Sequence, residues 1–233
     1  VTRRISMHKS KPHPDYPPEP GRYLRGNDFS PAAVVIILNK EEDKIPPEIE
    51  ALVRAGIEGG AALSGTVQTP NIGFEKIICN VVANPNIRYA ILSGPESEGH
   101  RTGDALKALF QNGVDEKKRI RETEAASAIL YNLPAEYIER FLEQVRLVDL
   151  QFKGTPDVIK KAVWACFQES PVDFMGYTLY DPGAFSQEPL SGKITMKVSK
   201  PWAEPEDEGE KDAVKRMREM VERLKKKKEE KGA

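Results

Sequence analysis

The chain has 233 residues, 39% of them apolar and 30% charged, so it carries enough apolar material for a core and is not a disordered polymer. Its 35 basic and 36 acidic residues give a net charge of −1, which excludes a generally basic binder, so no nucleic acid is expected among its partners. Cys79 and Cys166 are its only cysteines, which excludes a disulfide framework and a four-cysteine zinc site and points to a reducing, cytoplasmic setting.

Residues 1–30 read as an irregular arm. Pro12, Pro14, Pro17, Pro18 and Pro20 remove backbone donors, and Tyr16, Tyr23 and Phe29 are available to pin the arm to a body. No apolar targeting segment opens the chain. Ala32–Leu38 is dense in β-branched residues and is predicted to be a strand buried on both faces. It is also the longest apolar run, far short of the roughly 20 residues that span a membrane. Pro46–Gly60 is predicted helical, with Ile49, Leu52, Val53 and Ile57 as its apolar stripe. A loop with Ser64-Gly65-Thr66 and Thr69-Pro70-Asn71 follows. Asn71 is a candidate cap for a helix from Gly73 to about Asn84, striped by Phe74, Ile77, Ile78, Val81 and Val82.

Arg88–Gly94 is the second predicted strand. A loop from Gly94 to Arg101 leads to a helix from Thr102 to about Asn112, ended by Gly113. Ala125–Tyr131 is ambiguous between strand and helix. Pro134–Val145 is amphipathic, Val145–Leu150 is the third predicted strand, and Pro156–Gln168 a further helix. This alternation predicts an α/β fold, a Rossmann-like layered domain with a mostly parallel sheet over residues 31–170. Residues 171–203, with Tyr177–Tyr180 and Ile194–Val198, are predicted to form a small β appendage. Residues 204–233 read as a charged helical tail, where Val214, Met217, Val221 and Leu224 follow a short coiled-coil spacing.

In open α/β sheets ligands bind outside the carboxyl ends of the strands. The loop placed there is Ser93-Gly-Pro-Glu-Ser-Glu-Gly-His-Arg-Thr-Gly103. Gly94, Gly99 and Gly103 permit close backbone approach or a positive φ. His100 supplies an imidazole, with Glu96 and Glu98 beside it. Three such donors lack the further His or Cys of a usual zinc set. Cys79 falls inside an apolar helix and is expected to be inert, which argues against a Cys–His nucleophile. The first strand is not followed by a dinucleotide fingerprint, and a P-loop is absent. A single imidazole suits a metal already held by a macrocycle, the haem or corrinoid case. Glu98-Gly-His-Arg-Thr-Gly103 has the form E-x-H-x-x-G, near the D-x-H-x-x-G of corrinoid-binding domains.

Several further strings occur in order: Gly21-Arg-Tyr23, Pro31-Ala-Ala-Val34, Thr69-Pro-Asn-Ile-Gly-Phe-Glu-Lys-Ile-Ile-Cys-Asn80, Asn84-Pro-Asn-Ile-Arg88, Gly99-His-Arg-Thr-Gly103, Asn112-Gly-Val-Asp115 and Asp181-Pro-Gly-Ala-Phe185. With them the chain resembles the MtrA family, the A subunits of tetrahydromethanopterin S-methyltransferase, over roughly residues 20–200. The resemblance implies a cobamide, a cobalamin-type corrinoid, bound with His100 as the lower ligand of cobalt and therefore as the catalytic and metal-binding residue. It implies methyl transfer from a methyl-tetrahydropterin of the tetrahydromethanopterin or folate type, through Co(I) and methyl-Co(III), to an acceptor thiol such as coenzyme M. A methyl-pterin methyltransferase subunit is the implied partner, with a possible membrane complex reached through other subunits.

Around that cofactor the expected binding residues are Gly65, Thr66, Thr69, Gly94, Glu98, Gly99, His100, Thr102 and Gly103. Glu98 is the candidate to orient the imidazole, and the first N–H groups of the helix at Thr102 and Gly103 are candidates to bond the ring's amides. The family's membrane-complex members usually end in a transmembrane helix, whereas here the last residues are Lys-rich, so a member without that anchor is expected. The family's Pro-Cys-Lys after Gly65 is replaced by Thr66-Val-Gln68, and its Gly-rich segment by Glu122–Ser127. These departures leave open a non-catalytic interaction module with lost or altered corrinoid binding, and, more remotely, a binder of another small ligand at the same loop, such as a nucleotide or folate.

Overall fold

The computed structural model describes residues 8–39, 45–201 and 203, together with Lys211, Lys215, Arg216, Glu219 and Arg223. The chain divides into a unit of residues 1–199 and a second of residues 200–233. Val214, Met217, Val221 and Leu224, the expected seam of the tail, lie outside the described residues.

The first unit is built on one five-stranded sheet. Its strands are β1 (Tyr23–Arg25), β2 (Ala32–Ile37), β3 (Leu63–Val67), β4 (Tyr89–Ser93) and β5 (Arg146–Asp149), in the order β1-β3-β2-β4-β5. The pairs β2–β3, β2–β4 and β4–β5 are parallel, and β1 runs antiparallel along β3. Helices α1 (Pro47–Glu58), α2 (Ile72–Val82), α3 (Thr102–Asn112), α4 (Ala135–Gln144) and α5 (Pro156–Cys166) cover it, and a hairpin of β6 (Val172–Phe174) and β7 (Tyr177–Leu179) follows.

Side-chain alternation along the strands sorts the core into two layers. Val34, Ile36, Tyr89 and Ile91 face α1 and α5, while Ala33, Val35, Ala90 and Leu92 face α2, α3 and α4. Every residue of β2 and β4 is buried, as the unbroken apolar runs predict for central parallel strands. The chain leaves β2 toward β3 on one side and β4 toward β5 on the other. The switch point therefore falls between the carboxyl ends of β2 and β4. The layered α/β fold with a mostly parallel sheet is thus as expected from the sequence. Among the described residues no helix is long and apolar enough to cross a membrane.

Several local expectations are corrected. Ser64-Gly65-Thr66 is not loop but the middle of β3. Its polar, glycine-containing string carries no strand signal, and Gly65 is needed because a Cβ there would lie 2.5 Å from the Tyr23 Cβ of β1 and 2.6 Å from the Arg22 carbonyl just before it. The arm is less irregular than its prolines suggest. Tyr23–Arg25 is a strand, Tyr16 and Glu19 are buried, and Glu19 exchanges two hydrogen bonds with Asn80 of α2 at 2.8 and 3.0 Å. Asn71 does not cap α2; its side-chain amide donates to the Ser199 carbonyl at 2.8 Å. Ala125–Tyr131 is neither strand nor helix but a turn-rich segment joined to its surroundings by an isolated bridge, Arg119 to Ile129.

In the expected β appendage only the hairpin is strand. Ile194 instead enters the core as part of a strap over α2, and its N–H donates to the buried Glu19 carboxylate at 2.6 Å.

Candidate functional site

The carboxyl edge of the sheet is shaped first by Gly94. Its φ of +98° suits glycine, and a Cβ would stand 2.9 Å from the Ile37 carbonyl, so the turn out of β4 lies directly against the end of β2. The loop that follows is held by Glu96. One carboxylate oxygen accepts the N–H groups of Ser97 and Gly103, each at 2.8 Å. The other accepts the Asp104 N–H at 3.0 Å and the Gln151 amide at 3.2 Å. Burial pushes the Glu96 carboxyl up, but these bonds, that from Gly103 foremost, outweigh it and leave it below the ordinary carboxylate value. A negative side chain at the start of α3 also complements the helix dipole.

A second anchor lies beside it. The Ser97 hydroxyl meets the Thr102 N–H at 3.1 Å and the Thr102 hydroxyl at 2.7 Å. The Thr102 hydroxyl in turn donates to the Gln68 carbonyl, just past β3, at 2.6 Å. Thr102 is only 1% exposed. Between these anchors the chain projects as Glu98-Gly99-His100-Arg101. Gly99 has φ +80° with open space on its Cβ side, and Arg101 enters α3 from the left-handed region at φ 49°. The His100 side chain is half-buried, and among the described residues no group hydrogen-bonds its ring.

The structure brings Gly94, Glu98, Gly99, His100, Thr102 and Gly103 together on this loop, and Gly65, Thr66 and Thr69 line a cavity beside α2 that includes Gln68, the partner of Thr102. Two of the expected modes of contact are corrected. The N–H groups of Thr102 and Gly103 are not free for a ligand, because Ser97 and Glu96 occupy them. Gly103 is glycine for packing, since a Cβ would overlap the Gln151 amide. Glu98 is exposed and makes no hydrogen bond to His100 among the described residues; the structural carboxylate is Glu96, two positions earlier.

Sequence reasoning also missed what other elements bring to the edge. Gln151, after β5, bonds Glu96 and accepts the Lys107 ammonium at 2.9 Å. Phe152 is 73% exposed at φ +63°, a strained setting for an aromatic residue, with its N–H on the Gly94 carbonyl at 3.1 Å. Residues 122–127 close on the first turn of α3, where Asp104 accepts the Thr123 hydroxyl at 2.6 Å and the Glu124 N–H at 3.0 Å. Glu124 also pairs with Arg101 at 2.7 Å. The signal that was available is Glu96 itself, but its partners at Gly103 and Gln151 are set by the fold rather than by spacing.

The donor set limits the chemistry. Among the described residues no three His, Cys, Asp or Glu side chains converge to hold a bare ion, so a metal at His100 would bring most of its own ligands. Cys79 is buried, with its thiol pushed up to about 12 by burial, and does not reach the edge. One imidazole without an internal partner, on a braced loop with open space at Gly99, could supply a single protein ligand to a metal that a macrocycle already holds.

Fold and edge together define a doubly wound α/β domain in which the loop bearing His100 leaves the strand beside the switch point. The family model MtrA, which describes the A subunit of tetrahydromethanopterin S-methyltransferase, matches residues 9–201, and the chain belongs to that family. It is 38% identical over 190 residues to the second such A subunit of Methanothermobacter thermautotrophicus, covering 81% of this chain and 92% of that one. The first A subunit of Methanothermobacter marburgensis is 37% identical over 189 residues, covering 81% and 70%. The A subunit of Methanopyrus kandleri is 35% identical over 198 residues, covering 84% and 72%. Its relatives are thus methyltransferase subunits by name.

Proposed function

We propose that the chain is the corrinoid-carrying subunit of a methyltransferase complex, with a His100 ring nitrogen as axial ligand to the cobalt of a cobamide. The observation that carries this reading is the unpartnered, half-buried imidazole on a doubly anchored loop at the carboxyl edge of the sheet. Family membership supports it. When bound, such a ring supplies a metal nucleophile able to accept a methyl group from a methylated tetrahydropterin and release it to a thiol acceptor.

The chain's own part is to hold and present. His100 donates a lone pair, which requires a neutral ring. Glu96, Ser97 and Thr102 fix both ends of the loop, so the imidazole is ordered before any ligand arrives and less freedom is lost on binding. Gly99 leaves room for a flat ring to approach. Methyl donor and acceptor are handled by other subunits in this reading.

One observation favours a second reading, a non-catalytic interaction module of the same family: the α3 N–H groups are already satisfied, so the imidazole is left with few polar helpers. Reconstitution with hydroxocobalamin separates the two. The carrier is expected to retain the cobalamin through gel filtration with shifted visible bands, and His100→Ala to lose the shift while keeping its melting temperature. Identical spectra for both proteins, equal to free hydroxocobalamin, would favour the module.

A further inference from the structure

Gly65, Thr66 and Thr69 border a cavity of about 430 Å³ between α2 and the β1–β3 edge of the sheet. Protein interiors are close-packed, with few voids larger than a water molecule. An apolar cavity of about 150 Å³ is already enough to take up benzene. This space is lined by Ala33, Val35, Val67, Ile77 and Val81, and two features keep it open. Gly65 and Ala33 offer little or no side chain to fill it. Gly73 lets the first turn of α2 sit against β3, where a Cβ would stand 2.9 Å from Val67.

Lys76 of α2 also lines the cavity. It is half-buried, and among the described residues its ammonium has neither ion pair nor hydrogen bond. A partly desolvated charge without a counter-charge is unfavourable, and an anion beside it would relieve that. Thr66, Gln68 and Thr69 add polar groups to the lining.

We infer that this cavity is a binding site for a small amphipathic anion, with a body of one or two fused rings seated against the apolar wall and one carboxylate, phosphate or sulfonate on Lys76. Its lining includes none of Glu98, Gly99, His100 or Arg101, so the inference does not depend on the reading proposed at His100. Cavity and loop are mechanically joined, because the Gln68 carbonyl at the cavity accepts the Thr102 hydroxyl of the loop.

The test is a fluorescence titration of the full chain with 1-anilinonaphthalene-8-sulfonate and, in parallel, with uncharged N-phenyl-1-naphthylamine, which has the same ring body without the anion. Saturable binding of the sulfonate at one site per chain is expected, with a rise in melting temperature. Lys76→Met should weaken the sulfonate about tenfold, the loss of one charge-assisted contact, and leave the uncharged probe within about twofold. Ile77→Phe, which fills the cavity, should weaken both. His100→Ala should change neither, so a failure of the corrinoid reading leaves this site standing. Non-saturable binding, or binding that both Lys76→Met and Ile77→Phe leave unchanged, would overturn the inference.

Discussion

The Glu96 carboxylate gathers three backbone N–H groups and a side-chain amide, so its removal strands several donors at once. Glu96→Ala is expected to destabilise the protein by about 2–3 kcal/mol in urea denaturation, the range for lost bonds to a charged acceptor. Because its carboxyl is held below the ordinary value, its contribution is complete above the ordinary carboxylate range and is lost as pH falls through the lowered one. Stability measured against pH should show an acid limb that is shallower in Glu96→Gln. Phe152 offers a complementary case. Its φ of +63° is strained for any side chain, so Phe152→Gly should raise stability by about 1 kcal/mol while weakening whatever flat ligand binds this edge. That a histidine sits here was legible in the sequence, since the strand–loop–helix order placed it. That Glu96 rather than Glu98 does the holding was not, because its partners come from α3 and from the end of β5.

At the scale of elements, α2 is tied through the buried Glu75 carboxylate to Asn132, and through Asn132 to the strap. Glu75, 0% exposed, accepts the backbone and side-chain N–H groups of Asn132 at 2.7 and 2.8 Å. Asn132 in turn accepts the Val198 N–H of the strap at 2.9 Å. Burial lifts the Glu75 carboxyl above its ordinary value, and the Asn132 bonds only partly offset this. The native state therefore favours the protonated form, and the contribution falls as pH rises from the ordinary carboxylate range through the raised value. Glu75→Gln should remove that decline in melting experiments across the acid range. β3 shows why the strand count was under-read. Leu63–Val67 has neither an apolar run nor clean alternation, and its place in the sheet rests on Gly65 admitting β1. Gly65→Val should force the two strands apart and destabilise by about 1–3 kcal/mol, measured as a lower urea midpoint. The helices were more legible because their apolar stripes are long and regular, as in α2 and α4.

For the molecule as a whole, parallel order and switch point follow from the alternation of buried strands and amphipathic helices, so the edge bearing His100 was legible in the sequence. What sequence alone did not show was the cavity by α2, which Gly65, Thr66 and Thr69 line, because the packing of α2 on β3 that forms it is set by the fold. The central claim, that His100 binds cobalt, is met most directly by electron paramagnetic resonance of the protein loaded with unlabelled cob(II)alamin. With unlabelled protein each cobalt line should split into three from one axial nitrogen. In protein grown with nitrogen-15 histidine the splitting should become two lines, and in His100→Ala the histidine label should have no effect. Three lines in the labelled wild-type protein, or no nitrogen splitting at all, would contradict the account.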